Sequence, residues 1–116
     1  MQFLVLAYDG NDDKALDRRL AARPAHIAGI EKMKAEKRAL YGAAILDENE
    51  KMIGSVMIVD FKTRTELDAW LKSESYVAQR VWQKIEVTKA DASVKVEQAK
   101  SEAKIAIAEA TTPPTA

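Results

Sequence analysis

The chain has 116 residues and a mass of 12.9 kDa, enough for one domain and too short for two ordinary cores. Eighteen basic and eighteen acidic side chains give zero net charge, which argues against binding nucleic acid or a membrane surface through bulk charge. The absence of cysteine excludes a disulfide scaffold, a thiolate zinc site and a cysteine nucleophile, and a single histidine makes a metal centre unexpected.

Twenty of the apolar residues are alanine and only seven residues are aromatic, so one copy has little bulky core material. The apolar opening run, Phe3 to Tyr8, lacks a basic flank and is too short for a signal segment. No stretch reaches the length that spans a bilayer, and a soluble cytoplasmic protein is expected.

Gln2 to Tyr8 reads as a strand with two apolar faces: Phe3, Val5 and Ala7 on one, Leu4, Leu6 and Tyr8 on the other. Asp9-Gly10-Asn11-Asp12-Asp13 is turn chemistry. Ala15, Leu16 and Leu20 have helical spacing. Pro24 is expected to break that helix and open a second, with Ile27, Ile30 and Met33 on its apolar side and His26 in its first turn.

Tyr41 to Leu46 reads as a short strand containing Gly42. A polar hairpin follows at 47–51, and Met52 to Phe61 is the strongest strand. Thr63-Arg64-Thr65-Glu66 has the spacing of a capping box ahead of the stripe Leu67, Trp70 and Leu71. Ser73 is placed to cap a short turn carrying Tyr76 and Val77. Val81 to Thr88 reads as the last strand, with Val81, Ile85 and Val87 opposite Trp82, Lys84 and Glu86.

The composition changes after Lys89. Residues 90–116 hold eight alanines, no aromatic residue and no leucine. They are expected to form an extension with a helix permitted from Asp91 to Ala110, or with strand-like alternation at Val94/Val96 and Ile105/Ile107, and a frayed Pro113-Pro114 end.

The order is βα-ββ-αβ, that of ferredoxin-like α+β folds: a four-stranded antiparallel sheet with its helices on one face. Two helices leave the other face bare, although it too is apolar. The simplest cover is the same face of a second copy, giving a homodimer packed sheet to sheet. The rival cover is the C-terminal extension.

The run Asp17-Arg18-Arg19-Leu20-Ala21-Ala22-Arg23-Pro24-Ala25-His26 resembles the YciI-like (YCII-related) family of small bacterial proteins. Tyr8-Asp9, Gly42, Gly54-Ser55 and Tyr76-Val77 follow that family's order, and the resemblance covers residues 1–89. It implies a dimeric α/β barrel with a His/Asp active site, carried here onto His26 and Asp9. It implies no single reaction; relatives include a chlorinated-aromatic dehydrochlorinase. The family often has Asp-Pro before the tyrosine and glycine shortly after it, where this chain has Glu74-Ser75 and Gln79-Arg80.

His26 is the expected proton carrier. A helix start disfavours its charged form and a nearby Asp favours it, around an unperturbed pKa of about 6.5. Arg19 and Arg23 suit a carboxylate substrate, or ion pairs with Asp12, Asp13 or Asp17. Gly42 and Gly54 suggest close approach of a ligand or another backbone, or a bulge. Ser55 and Tyr76 complete the candidate substrate-binding set; Ser55 bonds either a ligand or its own sheet.

The expected function is cofactor-independent proton transfer on a small organic molecule, of lyase, isomerase or dehydrochlorinase type, with no metal. The alternative is a non-catalytic dimeric ligand-binding or assembly module.

Overall fold

The computed structural model describes residues 1–92. The extension's expected helix and its rival strand alternation lie outside the described residues, apart from Asp91 and Ala92.

Seven elements follow one another: β1 Gln2–Asp9, α1 Ala15–Ala35, β2 Ala39–Leu46, β3 Met52–Asp60, α2 Arg64–Ser73, α3 Ser75–Ala78 and β4 Trp82–Ala90. The strands form one sheet in the order β2-β3-β1-β4 with every neighbour antiparallel, the ferredoxin-like arrangement. Alternation decides which side is covered. Phe3, Val5 and Ala7 of β1 and Met57 and Val59 of β3 are buried beneath the helices with Leu67, Tyr76 and Val81. Leu4 and Leu6, opposite Ile58 and Val56, point to the other face and are only half-buried.

α1 is one helix of 21 residues with Pro24 inside it, not two helices joined there. Proline removes one intrahelical bond and strains the turn before it. Buried contacts hold the helix in line on either side: Arg19 is tied to β1 and β3, and His26 to the α2–α3 junction. His26 therefore lies in mid-helix, and the expected influence of a helix start on its ring does not arise.

The capping box forms at α2, where Thr63 Oγ1 accepts from the Glu66 N–H at 3.1 Å. Glu74, not Ser73, caps α3: its side chain accepts from the Tyr76 N–H, while the Ser73 hydroxyl donates to the Trp70 carbonyl. α3 ends with Arg80 at φ 60°, in the left-handed region that favours glycine.

In β4 the pairing register shifts between Tyr8 and Asp9, so that Asp9 pairs with Trp82 while Tyr8 pairs with Lys84. The bulged residue, Gln83, turns Trp82 onto the helix-covered face with Ile85 and Val87. Simple alternation had put it with Lys84 and Glu86. Trp82 is 4 % exposed.

Candidate functional site

Three inward-facing rows deliver polar side chains to one place. The β1 row Phe3, Val5, Ala7 continues to Asp9. The buried row of α1 is Arg19, Ala22, His26 and Met33, so two of its four positions are polar. On β3, Ser55 is inward beside Met57.

The first cluster surrounds Arg19, whose side chain is 3 % exposed. Its Nη1 donates to both Asp9 oxygens at 2.9 and 3.1 Å, and its Nη2 donates to Ser55 Oγ at 2.8 Å. Trp82 Nε1 donates to the same Ser55 oxygen at 3.1 Å. The guanidinium carbon lies 4.8 Å from the centre of the Tyr76 ring. Arg19 Nε is buried without a hydrogen-bond partner among the described residues. Burial pushes the Asp9 carboxyl above the ordinary 3.8, against the pull of Arg19. At the surface, the bond from Arg18 holds Asp12 well below that value.

The second cluster centres on His26, which is 8 % exposed. Its Nδ1 bonds Glu74 Oε1, while Glu74 Oε2 accepts from the Tyr76 N–H. A carboxylate accepting at Nδ1 places the ring proton there and leaves the Nε2 lone pair for another group. The imidazole stacks on Tyr76, with centres 3.8 Å apart and planes 10° apart, and meets Trp82 edge-on at 5.7 Å. Burial raises the Tyr76 phenol above 10.0, so it stays protonated at neutral pH.

The expected His26–Asp9 contact is replaced by these two pairs. Asp9 is held by Arg19, which precedes His26 by two helical turns, about 10 Å of rise along α1. The carboxylate that reaches the histidine comes instead from Glu74.

A cleft of about 270 Å³ opens between α1 and the β2–β3 edge. Arg19, Arg23, His26, Ser55 and Tyr76 give it polar groups, and Ile27, Ile30, Met52 and Met57 give it apolar ones. It is roomy because β2 turns only Gly42 and Ala44 toward the helix at this point, side chains too small to fill the space beneath it. Six of the eight expected site residues thus line one cleft. Asp9 stands behind it, bonded to Arg19. Gly54 faces away from the helices, paired with Tyr8. A Cβ on Gly54 would lie 2.5 Å from the Ala7 carbonyl oxygen, so the close approach there is by another backbone. Arg19 pairs with Asp9; it is Arg18 that bonds Asp12.

Glu74 and Trp82 were not anticipated as partners in the site. Glu74 carries a signal, since it stands where the family often has aspartate before the tyrosine. Trp82 reaches Ser55 only through the β4 bulge, which residue pattern alone does not reveal. Among the described residues, no group of three or more His, Cys, Asp or Glu is placed to hold a metal ion. Nor is any described helix long and apolar enough to cross a membrane.

Residues 1–91 match the YCII-related domain. The chain is 30% identical over 93 residues to Protein YciI of Escherichia coli O6:H1, covering 75% of this chain and 93% of that protein. Protein YciI of Shigella flexneri matches with the same identity and coverage. A solved structure of the 5-chloro-2-hydroxyhydroquinone dehydrochlorinase from Burkholderia phenoliruptrix AC1100, in complex with 2,5-dihydroxybenzoquinone, superposes with a TM-score of 0.68. It is 21% identical, and the match covers 78% of this chain and 94% of that one; the likeness is one of fold.

Proposed function

This chain belongs to the YCII-related family, and on that premise we propose that it is a small acid–base enzyme in which His26 moves a proton on an organic molecule held in the α1/β2 cleft. The observation that carries the reading is the buried His26–Glu74 pair at the cleft wall. A histidine oriented through Nδ1 by a carboxylate presents Nε2 as a base in a fixed direction, the logic by which a catalytic triad holds its imidazole. Stacking on Tyr76 fixes the ring plane. Glu74 is a positioning residue, and the Asp9–Arg19 pair a structural support that aims the guanidinium and Ser55.

The cleft combines polar groups, among them the exposed Arg23 cation, with apolar side chains from both α1 and β3. That suits a small anionic or aromatic molecule. The reaction class is proton transfer leading to isomerisation or elimination, and the fold likeness to a dehydrochlorinase accords with it.

The test is solvent exchange. The full chain is incubated in heavy water with a panel of small ketones, carboxylates and phenols, and deuterium uptake is followed by NMR. His26→Ala is expected to lower the rate by about 10²–10⁴-fold with the fold intact by circular dichroism. Glu74→Gln lowers kcat while KM changes little, and Glu74→Asp restores part of it. Undiminished exchange by His26→Ala overturns the proposal.

A second reading, a non-catalytic dimeric binding or assembly module, is favoured by the apolar sheet face that no described helix covers. Self-association through that face is compatible with either reading, because the cleft lies on the opposite side of the sheet. A panel in which ligands raise the melting temperature but none exchanges its protons supports the module.

A further inference from the structure

Ser55 sits between two groups that can only donate. Arg19 Nη2 and Trp82 Nε1 both place an N–H on its oxygen, at 2.8 and 3.1 Å. A serine hydroxyl has two lone pairs and one proton. Both lone pairs are filled, and neither neighbour has an acceptor to offer in return. Among the described residues, no protein acceptor takes the Ser55 proton, and the residue is only 4 % exposed. It lines the cleft that His26 lines. We infer that Ser55 Oγ–H donates to an oxygen of the bound substrate, and that the substrate class is small carbonyl or phenolic compounds whose oxygen becomes negative as His26 takes the proton.

The inference rests on the acid–base reading of His26 and adds the group that stabilises the product of proton removal. A hydroxyl that accepts from a guanidinium is polarised and donates more strongly. The same two bonds occupy the lone pairs a nucleophile would need, so Ser55 is a donor and not an attacking group. The other polar groups around the cleft agree in sign: Arg19 Nε has no acceptor among the described residues, the exposed Arg23 brings a positive charge, and the Tyr76 phenol is held protonated. His26 Nε2 is the acceptor among them.

The step balances without a cofactor. His26 Nε2 takes the proton from the carbon beside a carbonyl. The C–H electron pair becomes a C=C bond, and the carbonyl π pair moves onto oxygen as an enolate bonded to Ser55 Oγ–H. In the isomerisation of a β,γ-unsaturated carbonyl compound the oxygen pair re-forms the carbonyl, the double bonds shift along the dienolate, and its γ-carbon takes the proton back from His26. In an elimination the oxygen pair re-forms the carbonyl, the C=C pair expels the leaving anion, and His26 releases its proton to solvent. Preorganised donors aimed at developing negative charge are a large source of rate in such steps.

The test uses 4-nitrophenolate as the oxyanion probe and nitrobenzene as its counterpart lacking the oxygen, each titrated into the full chain by calorimetry. The native protein is expected to bind the phenolate at least about tenfold tighter than nitrobenzene, and Ser55→Ala to lose about tenfold for the phenolate alone. Equal phenolate affinity in Ser55→Ala, or no phenolate preference in the native protein, overturns the assignment. If Ser55→Ala does not fold, Ser55→Cys keeps the volume with a weaker donor: a loss of the same sign supports the assignment and an unchanged affinity overturns it. Ser55-dependent phenolate binding without proton exchange leaves the donor standing and sinks the acid–base reading. His26-dependent exchange with phenolate binding indifferent to Ser55 does the reverse.

Discussion

Asp9 and Arg19 have side chains 2 % and 3 % exposed, so each charge depends on the other. Removing one partner of such a pair leaves the other buried and unpaired, which costs about 3–5 kcal/mol. Asp9→Ala is therefore expected to lose that much in urea unfolding, a fault of folding and not of chemistry. The two surface-and-core aspartates should also titrate in opposite directions. Asp9 is raised, so the folded state holds more proton than the unfolded one above the ordinary value of 3.8. Its contribution to stability is full below that value and declines as pH rises through the raised pKa. Asp12 is lowered by Arg18, so its contribution is present above 3.8 and is lost as pH falls toward the lowered value. A carboxyl NMR titration checks this: the Asp9 midpoint should lie above 3.8 and the Asp12 midpoint below it.

Strands β2 and β3 each hold one glycine, and the two serve different ends. Neither has a positive φ, so space and not backbone freedom decides. A Cβ on Gly54 would meet the Ala7 carbonyl oxygen at 2.5 Å, and a backbone atom cannot swing aside. One on Gly42 would find nothing nearer than Met57 Cγ at 3.9 Å. Gly54→Ala should lose about 1–3 kcal/mol, and Gly42→Ala should gain about 0.5–1 kcal/mol from reduced chain entropy, both read by urea unfolding. The element order was legible because four strands and the α2 cap follow elementary alternation and capping. The Pro24 break was misread because tertiary ties at Arg19 and His26 override a local preference. The site was legible as a set of residues but not as a set of bonds. His26, Ser55, Arg19 and Tyr76 stand out through the family resemblance and not through type or spacing alone, and Arg19-Ala22-His26-Met33 is an inward helical row with two polar members. Which carboxylate reaches the histidine depends on where α3 docks against α1, a packing outcome no local pattern encodes.

At the scale of the whole molecule, the described residues cover the sheet on one side only. Val56 pairs with Leu6 on β1 and with Ala43 on β2, at the centre of the uncovered face. Leu4, Ile58, Tyr8, Tyr41 and Ile45 share that face, and Tyr8 and Tyr41 are 37% and 44% exposed. A contiguous apolar surface of this kind is uncommon on a soluble monomer, and a flat sheet meets the same face of a second copy without rearrangement. On β4 the face ends in Lys84 and Glu86, paired at 3.5 Å, a charged margin suited to the rim of an interface. Val56→Asp places an unpaired charge at the centre of that contact while leaving the helix-covered core untouched; the neighbouring Met57, 3 % exposed, belongs to that core. Sedimentation is expected to show a dimer for the native chain and a folded monomer for Val56→Asp at micromolar concentration. Because the cleft lies on the opposite face, the monomeric variant should still bind 4-nitrophenolate. A native chain that sediments as a monomer would mean that the face is covered in some other way.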